Sequence, residues 1–136
     1  MRVVPLCALL GTMACAATRT PATVNAAPPA QFSGDSPLQM TIRGSSYSGS
    51  INLKRQGDSA SGTFRIVGPG TVHGNARGRV TGNDVVLDLT YDVIENGCKG
   101  TMHLTGVIAN AIAQGAAEAQ DSCVGRMTGT FRIGRS

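Results

Sequence analysis

The chain has 136 residues, of which 41% are hydrophobic, 4% aromatic and 18 glycine, with no Trp and a formal net charge of +4. That is enough for one small domain behind a leader, with the apolar content for a core. The abundance of glycine argues for a tight all-β fold over a helical one, and no apolar run reaches the roughly 18 residues of a transmembrane helix.

The first 14 residues read as an export signal. Arg2 supplies the positive start, an apolar run follows from Val3 to Leu10, and small residues come next. The stretch Leu9-Leu10-Gly11-Thr12-Met13-Ala14-Cys15 resembles a bacterial lipobox. Ala14 before Cys15 fits the motif, whereas Thr12 departs from it, because that position is usually Leu. The resemblance implies that Cys15 is lipidated as the first residue of a mature chain anchored on the periplasmic side of a membrane. Ordinary signal cleavage is the alternative and would leave a secreted protein. Residues 15–37 are rich in Ala, Thr and Pro, with prolines at 21, 28, 29 and 37. Such a segment is too poor in large apolar groups to pack and reads as a disordered linker.

The folded domain is expected over residues 38–136. Successive side chains of a strand face opposite ways, so alternation is the signal to follow. Leu38, Met40 and Ile42 open it, and a turn at Gly44-Ser45 leads to Tyr47, Gly49, Ile51 and Leu53. A hairpin turn at Gly57-Asp58 then sets Leu53 against Gly62, Ile51 against Phe64 and Gly49 against Ile66. Gly68-Pro69-Gly70 breaks the chain before a three-stranded meander over 72–81, 85–94 and 98–106. Turns at Gly82-Asn83 and Glu95-Asn96 would place Tyr91 between Gly74 and Gly100, and Leu87 between Gly78 and Leu104. Large inward residues thus meet small ones, and a one-residue slip would turn the whole buried set outward. Residues 107–120 are Ala-rich, which favours helix, but Gly115 and the absence of an N-cap favour a strand. As a strand the segment sets Gly115 beside Leu104 and Ala117 beside Met102. The last strand runs over 123–133 and repeats Gly-Thr-Phe-Arg-Ile, found first at 62–66 and again at 129–133. Eight strands joined mainly by tight turns predict an antiparallel up-and-down barrel, mostly filled, with a small pocket at best.

The cysteines sort by position. Cys7 leaves with the leader and Cys15 is the lipidation candidate, so Cys98 and Cys123 remain as a pair for a structural disulfide in an oxidising compartment. Each opens the same pattern, Cys-x-Gly-x-Met, at 98–102 and 123–127. On the outward face, one cross-strand row holds Arg77, Asp88 and His103, and another holds His73, Asp92 and Lys99. A metal or acid–base site is the sharp reading of these rows, and a solvated ladder of charge pairs is the plain one. No nucleophile elbow, zinc-protease motif or phosphate loop occurs, and Glu95 and Glu118 have no evident catalytic partner. The expectation is therefore a non-enzymatic protein without a cofactor or resident metal. The basic outward residues do not point to nucleic acid, since export removes that partner and exposed aromatics for stacking are missing.

The strand rhythm and the single Cys98–Cys123 pair resemble small exported bacterial β-barrel proteins. They are also loosely similar to the calycin-like group, which includes lipocalins, avidins and periplasmic metalloprotease inhibitors. The lipocalin Gly-x-Trp signature is missing, and no family site transfers. The leading expectation is a non-enzymatic, lipid-anchored, monomeric envelope barrel acting through its outer surface or loop ends. A binder of a small apolar ligand in the barrel mouth is the alternative, as is a protease inhibitor using the segment before Leu38.

Overall fold

The computed structural model describes residues 34–135. The export signal, Cys15 and the linker up to residue 33 lie outside the described residues. Eight strands follow one another in sequence and around a closed antiparallel barrel: β1 (Gly34–Ile42), β2 (Ser45–Gln56), β3 (Ser59–Val67), β4 (Thr71–Thr81), β5 (Asp84–Val93), β6 (Lys99–Ala109), β7 (Ile112–Asp121) and β8 (Gly125–Ile133). The up-and-down barrel expected from the alternation is the observed fold, and Cys98 is bonded to Cys123.

The central meander holds the register that its turns predict. Tyr91 pairs with Gly74 on one side and Gly100 on the other, and Leu87 lies between Gly78 and Leu104. The β2–β3 pairing likewise sets Ile51 against Phe64 and Leu53 against Gly62. Burial follows parity: Val85, Leu87, Leu89 and Tyr91 are buried, while Asp84, Val86, Asp88 and Thr90 are exposed.

Three expectations need correction. Residues 107–120 are strand, but Gly115 pairs with Gly106 and Ala117 with Leu104, so the predicted register is off by two. The turn lies at Asn110-Ala111, where both residues have positive φ (50° and 68°) without a glycine to mark it. Moving a hairpin turn by one residue shifts the pairing by two, which leaves the inward face unchanged. Ala113, Ala117 and Ala119 are therefore buried as expected. The first turn is at Arg43-Gly44, with φ of 49° and 79°, rather than at Gly44-Ser45. The sheet also begins earlier than Leu38. Residues 34–37, expected in the linker, pair with β2 from Gly34↔Leu53 to Pro37↔Ser50. Pro37 is tolerated because β8 pairs with β1 only from Leu38 onward, so its missing N–H interrupts no ladder on that side.

The inner-wall glycines have a reason beyond the large side chains opposite them. A Cβ built on Gly62 or Gly74 would collide with the carbonyl oxygen of the neighbouring strand, Asn52 O and Thr90 O respectively. The sheet coils so sharply there that backbone occupies the place of a side chain, which is how a barrel this small closes.

The two ends of the barrel differ. At one end β2–β3, β4–β5 and β6–β7 are joined by two-residue turns. Leu53, Val80, Val85 and Ile133 fill the interior near it. The inward Arg55 caps that end by donating from Nη2 to the carbonyls of Gly57 and Val80, both at 3.1 Å. At the other end the connections are longer: 68–70, 94–98 and 122–124, beside the tight Arg43-Gly44 turn. Arg55 and these apolar side chains close the first end, and the second opens into a pocket.

Candidate functional site

The pocket has a volume of about 380 Å³ and lies inside the open end, under the three longer loops. Its wall is mostly apolar: Met40, Ile42, Tyr47, Ile66, Val72, Tyr91, Val93, Met102 and Met127 contribute, with Pro69 and Val124 on the loops. Strand register explains the hollow. Ala119 stands between Met102 and Met127, and Asp121 stands between Gly100 and Gly125. Small residues thus flank or separate the larger ones on three adjacent strands, and the interior widens toward the loops. The mouth carries exposed apolar side chains on each loop or its edge: Val67, Ile94 and Val124 are 51%, 56% and 55% exposed.

The repeated Cys-x-Gly-x-Met pattern has its explanation here. Both copies flank β7 at the same height, which brings Cys98 to Cys123 with their Cα atoms 5.8 Å apart and sends Met102 and Met127 into the pocket. The cysteines lie just before β6 and β8 rather than within them. Their bond ties the 94–98 loop to the 122–124 loop and so fixes the rim.

Asp121 is the residue that sequence reasoning missed. It is 7% exposed and faces inward at the end of β7. Its Oδ2 accepts a hydrogen bond from the Tyr91 hydroxyl at 2.8 Å. Its Oδ1 accepts from the backbone N–H groups of Cys123 (2.8 Å) and Val124 (3.1 Å). Desolvation is the largest single influence on this carboxyl and pushes its pKa up, but the bonds from Cys123, Tyr91 and Val124 together outweigh it and hold the pKa below the usual carboxylate range. The Tyr91 phenol is pushed well above its ordinary value, first by burial, then by its hydrogen bond to Asp121 and by the charge of that carboxylate. A parity count continued past Ala119 would have found Asp121, since it shares the inward phase of Ala117 and Ala119.

Glu95 sits on the rim, and both of its carboxylate oxygens accept from the backbone N–H of Thr71 at 2.9 Å. Those bonds, above all, lower its pKa. Asn96 accepts the Cys98 N–H at 3.0 Å, and Ser122 accepts the Lys99 N–H at 2.9 Å, so the 94–98 and 122–124 loops are each braced by a polar side chain of their own. Donor atoms of Cys98, Asp121 and Cys123 lie within 4.8 Å of one another. The two sulfurs are bonded to each other, however, so neither is a thiolate ligand.

The outer rows occur as the alternation predicts. Asp88 pairs with both Arg77 and His103, and Asp92 with both His73 and Lys99. His103 Nδ1 lies 2.6 Å from Asp88 Oδ1, and Lys99 Nζ lies 3.3 Å from Asp92 Oδ1. These side chains are about half or more exposed, and pairs of this kind contribute roughly 0–1 kcal/mol each. They stand on the barrel's outer wall, away from the pocket.

No family model, no curated protein and no solved structure matches this chain.

Proposed function

We propose that this is an exported, non-enzymatic barrel that binds a small, mainly apolar ligand in its open end. The observation that carries the reading is the pocket of about 380 Å³, lined mostly by apolar side chains, with Val67, Ile94 and Val124 exposed at its mouth. A concave apolar site with a few placed polar groups is the usual form of a small-molecule site. The polar groups at this one, Tyr91, Glu95, Asn96 and Asp121, are engaged with one another or with loop backbone. That engagement suits holding a shape rather than transferring a proton.

Export and anchoring through Cys15 belong to the same proposal. The Cys98–Cys123 disulfide is of the kind that persists in oxidising compartments. β1 begins at Gly34, at the end of the two-residue turns and opposite the mouth. A closed barrel presents no free sheet edge, which suits a monomer. The inhibitor alternative is weakened because residues 34–37 of its proposed segment are committed to β1.

The test is saturable 1:1 uptake of an uncharged fluorescent naphthylamine dye by the purified chain. Ala119→Met, which fills the gap between Met102 and Met127, should abolish uptake while leaving the far-ultraviolet circular dichroism unchanged. Absence of saturable uptake by the unaltered chain would remove the reading. Intact mass of the membrane-extracted protein tests the anchor: without acyl chains on Cys15, anchoring is lost.

A further inference from the structure

We propose that the ligand is a hydrophobic cation, an apolar body carrying a protonated amine or quaternary ammonium group. The inference rests on the pocket reading above and adds the sign of the charge. The chain as a whole is basic, at +4, yet no Lys, Arg or His lines the pocket. The two charged residues that do line it are both acidic, Glu95 and Asp121.

Asp121 is the stronger of the two arguments. Its oxygens are satisfied by a phenol and two peptide N–H groups, all of them uncharged donors. Such bonds fill lone pairs, but they leave a net negative charge almost wholly removed from water. Charges buried in proteins are ordinarily paired with an opposite charge. The ion pairs among the described residues are Lys99–Asp92, His103–Asp88 and Arg126–Glu118, all on the outer wall, and none includes Asp121 or Glu95. Lys99 and Arg126 are close in sequence to the glycines that flank Asp121, but they take outward parity and are held by their own carboxylates. Arg65 acts on Glu95 at the rim, from an outward position on β3. The counter-charge that Asp121 lacks is therefore one that an occupant of the pocket can bring. Tyr47 and Tyr91 also line the pocket, and aromatic faces attract cations. A fatty acid has the opposite fit, because its carboxylate would meet two negative groups.

The experiment compares three probes of equal chain length, octylamine, octanol and octanoate, each displacing the fluorescent dye from the full chain at neutral pH and low salt. The expected order is amine, then alcohol, then carboxylate, with at least about a tenfold step between amine and alcohol, as a charge pair in a low-dielectric pocket would give. Asp121→Asn should bring the amine down to the alcohol and leave the alcohol unchanged. If that variant does not fold, the ranking on the unaltered chain decides, with Glu95→Gln reporting the smaller rim contribution. Octanoate binding as tightly as octylamine overturns the inference. Alcohol and amine binding equally overturns the charge argument but leaves the apolar pocket standing. Failure of all three overturns both.

Discussion

Gly74→Ala adds one methyl group to the inner wall, and the structure makes it costly. Gly74 lies between Phe64 of β3 and Tyr91 of β5. The new Cβ would overlap Thr90 O and stand 2.8 Å from Thr90 C and 2.9 Å from Tyr91 Cα. Those are backbone atoms of the paired strand, which cannot rotate away as a side chain would, so β4 and β5 must part locally. Overpacking of this kind costs about 1–3 kcal/mol. A weakened ladder hydrogen bond adds about 1 kcal/mol. Against this, alanine restricts the unfolded chain and returns about 0.4–1 kcal/mol. The net is a destabilisation of about 2 kcal/mol, which in a domain of this size lowers Tm by roughly 8–16 °C. Gly57→Ala is the control. Gly57 sits in a turn at φ +60° with nothing within 4 Å of a Cβ, so its cost is conformational only, about 1 kcal/mol. Thermal and urea unfolding followed by circular dichroism, with the disulfide intact, measures both. If Gly74→Ala is no more harmful than Gly57→Ala, the neighbouring strand does not crowd this position and the account of closure is wrong.

Other outcomes follow from the open end. Replacing Cys98 and Cys123 together by Ser releases a cross-link spanning 25 residues and should cost about 3–4 kcal/mol in the chain-entropy model, read as a shift in the urea midpoint. Tyr91→Phe leaves the buried Asp121 carboxylate one donor short. It should destabilise the fold by about 1–3 kcal/mol and raise the Asp121 pKa, which a carbon-13 carboxyl titration would detect. Asp121 has a folded pKa below its unfolded one, so its contribution is fully present above the unfolded value of about 3.9 and disappears as pH falls through the folded value. Urea unfolding at pH 7 and in the window below about pH 4 should show this acid loss in the unaltered chain and a smaller one in Asp121→Asn; equal losses would show that Asp121 is not the group responsible.

The architecture was legible because two independent signals agree along most of the chain. Alternation assigned faces, and Gly82-Asn83 and Gly57-Asp58 assigned register, so Tyr91 could be set between two glycines from sequence alone. Where a turn lacked its usual residue, register was lost but facing was not. Asn110-Ala111 takes positive φ without glycine, and the two-residue shift that results keeps Ala117 and Ala119 inward. The start of the sheet was hidden by composition, since Pro37 looks like linker until one knows that β8 stops short of it. The pocket was hardest to foresee. Matching large residues to small ones describes neighbours in the wall, whereas a void depends on what reaches across the barrel axis. Glycines such as Gly74 are small because backbone crowds them, so they report closure and not free space. Free space arises instead around Ala119, where the residues on either side are methionines.

The contrast between the two ends ties these points together. Two-residue turns hold strand ends close, and with Leu53, Val80 and Arg55 inside them that end has no room for an occupant. Longer loops let the opposite end stand open, but loops of that length are ordinarily mobile. Here all three are restrained: the disulfide joins 94–98 to 122–124, Asn96 and Asp121 add hydrogen bonds within those two loops, and Glu95 reaches across to the Thr71 N–H beside 68–70. Asp121 and Glu95 therefore do two things at once. They keep the rim in place through uncharged N–H groups, and in doing so they stay ionised with no cation of their own within the pocket. A rim that needed only bracing could use Asn or Ser, as it does at Asn96 and Ser122. Carboxylates at the two pocket-facing positions bring a field directed at whatever enters, and that is the physical ground for expecting a cation there.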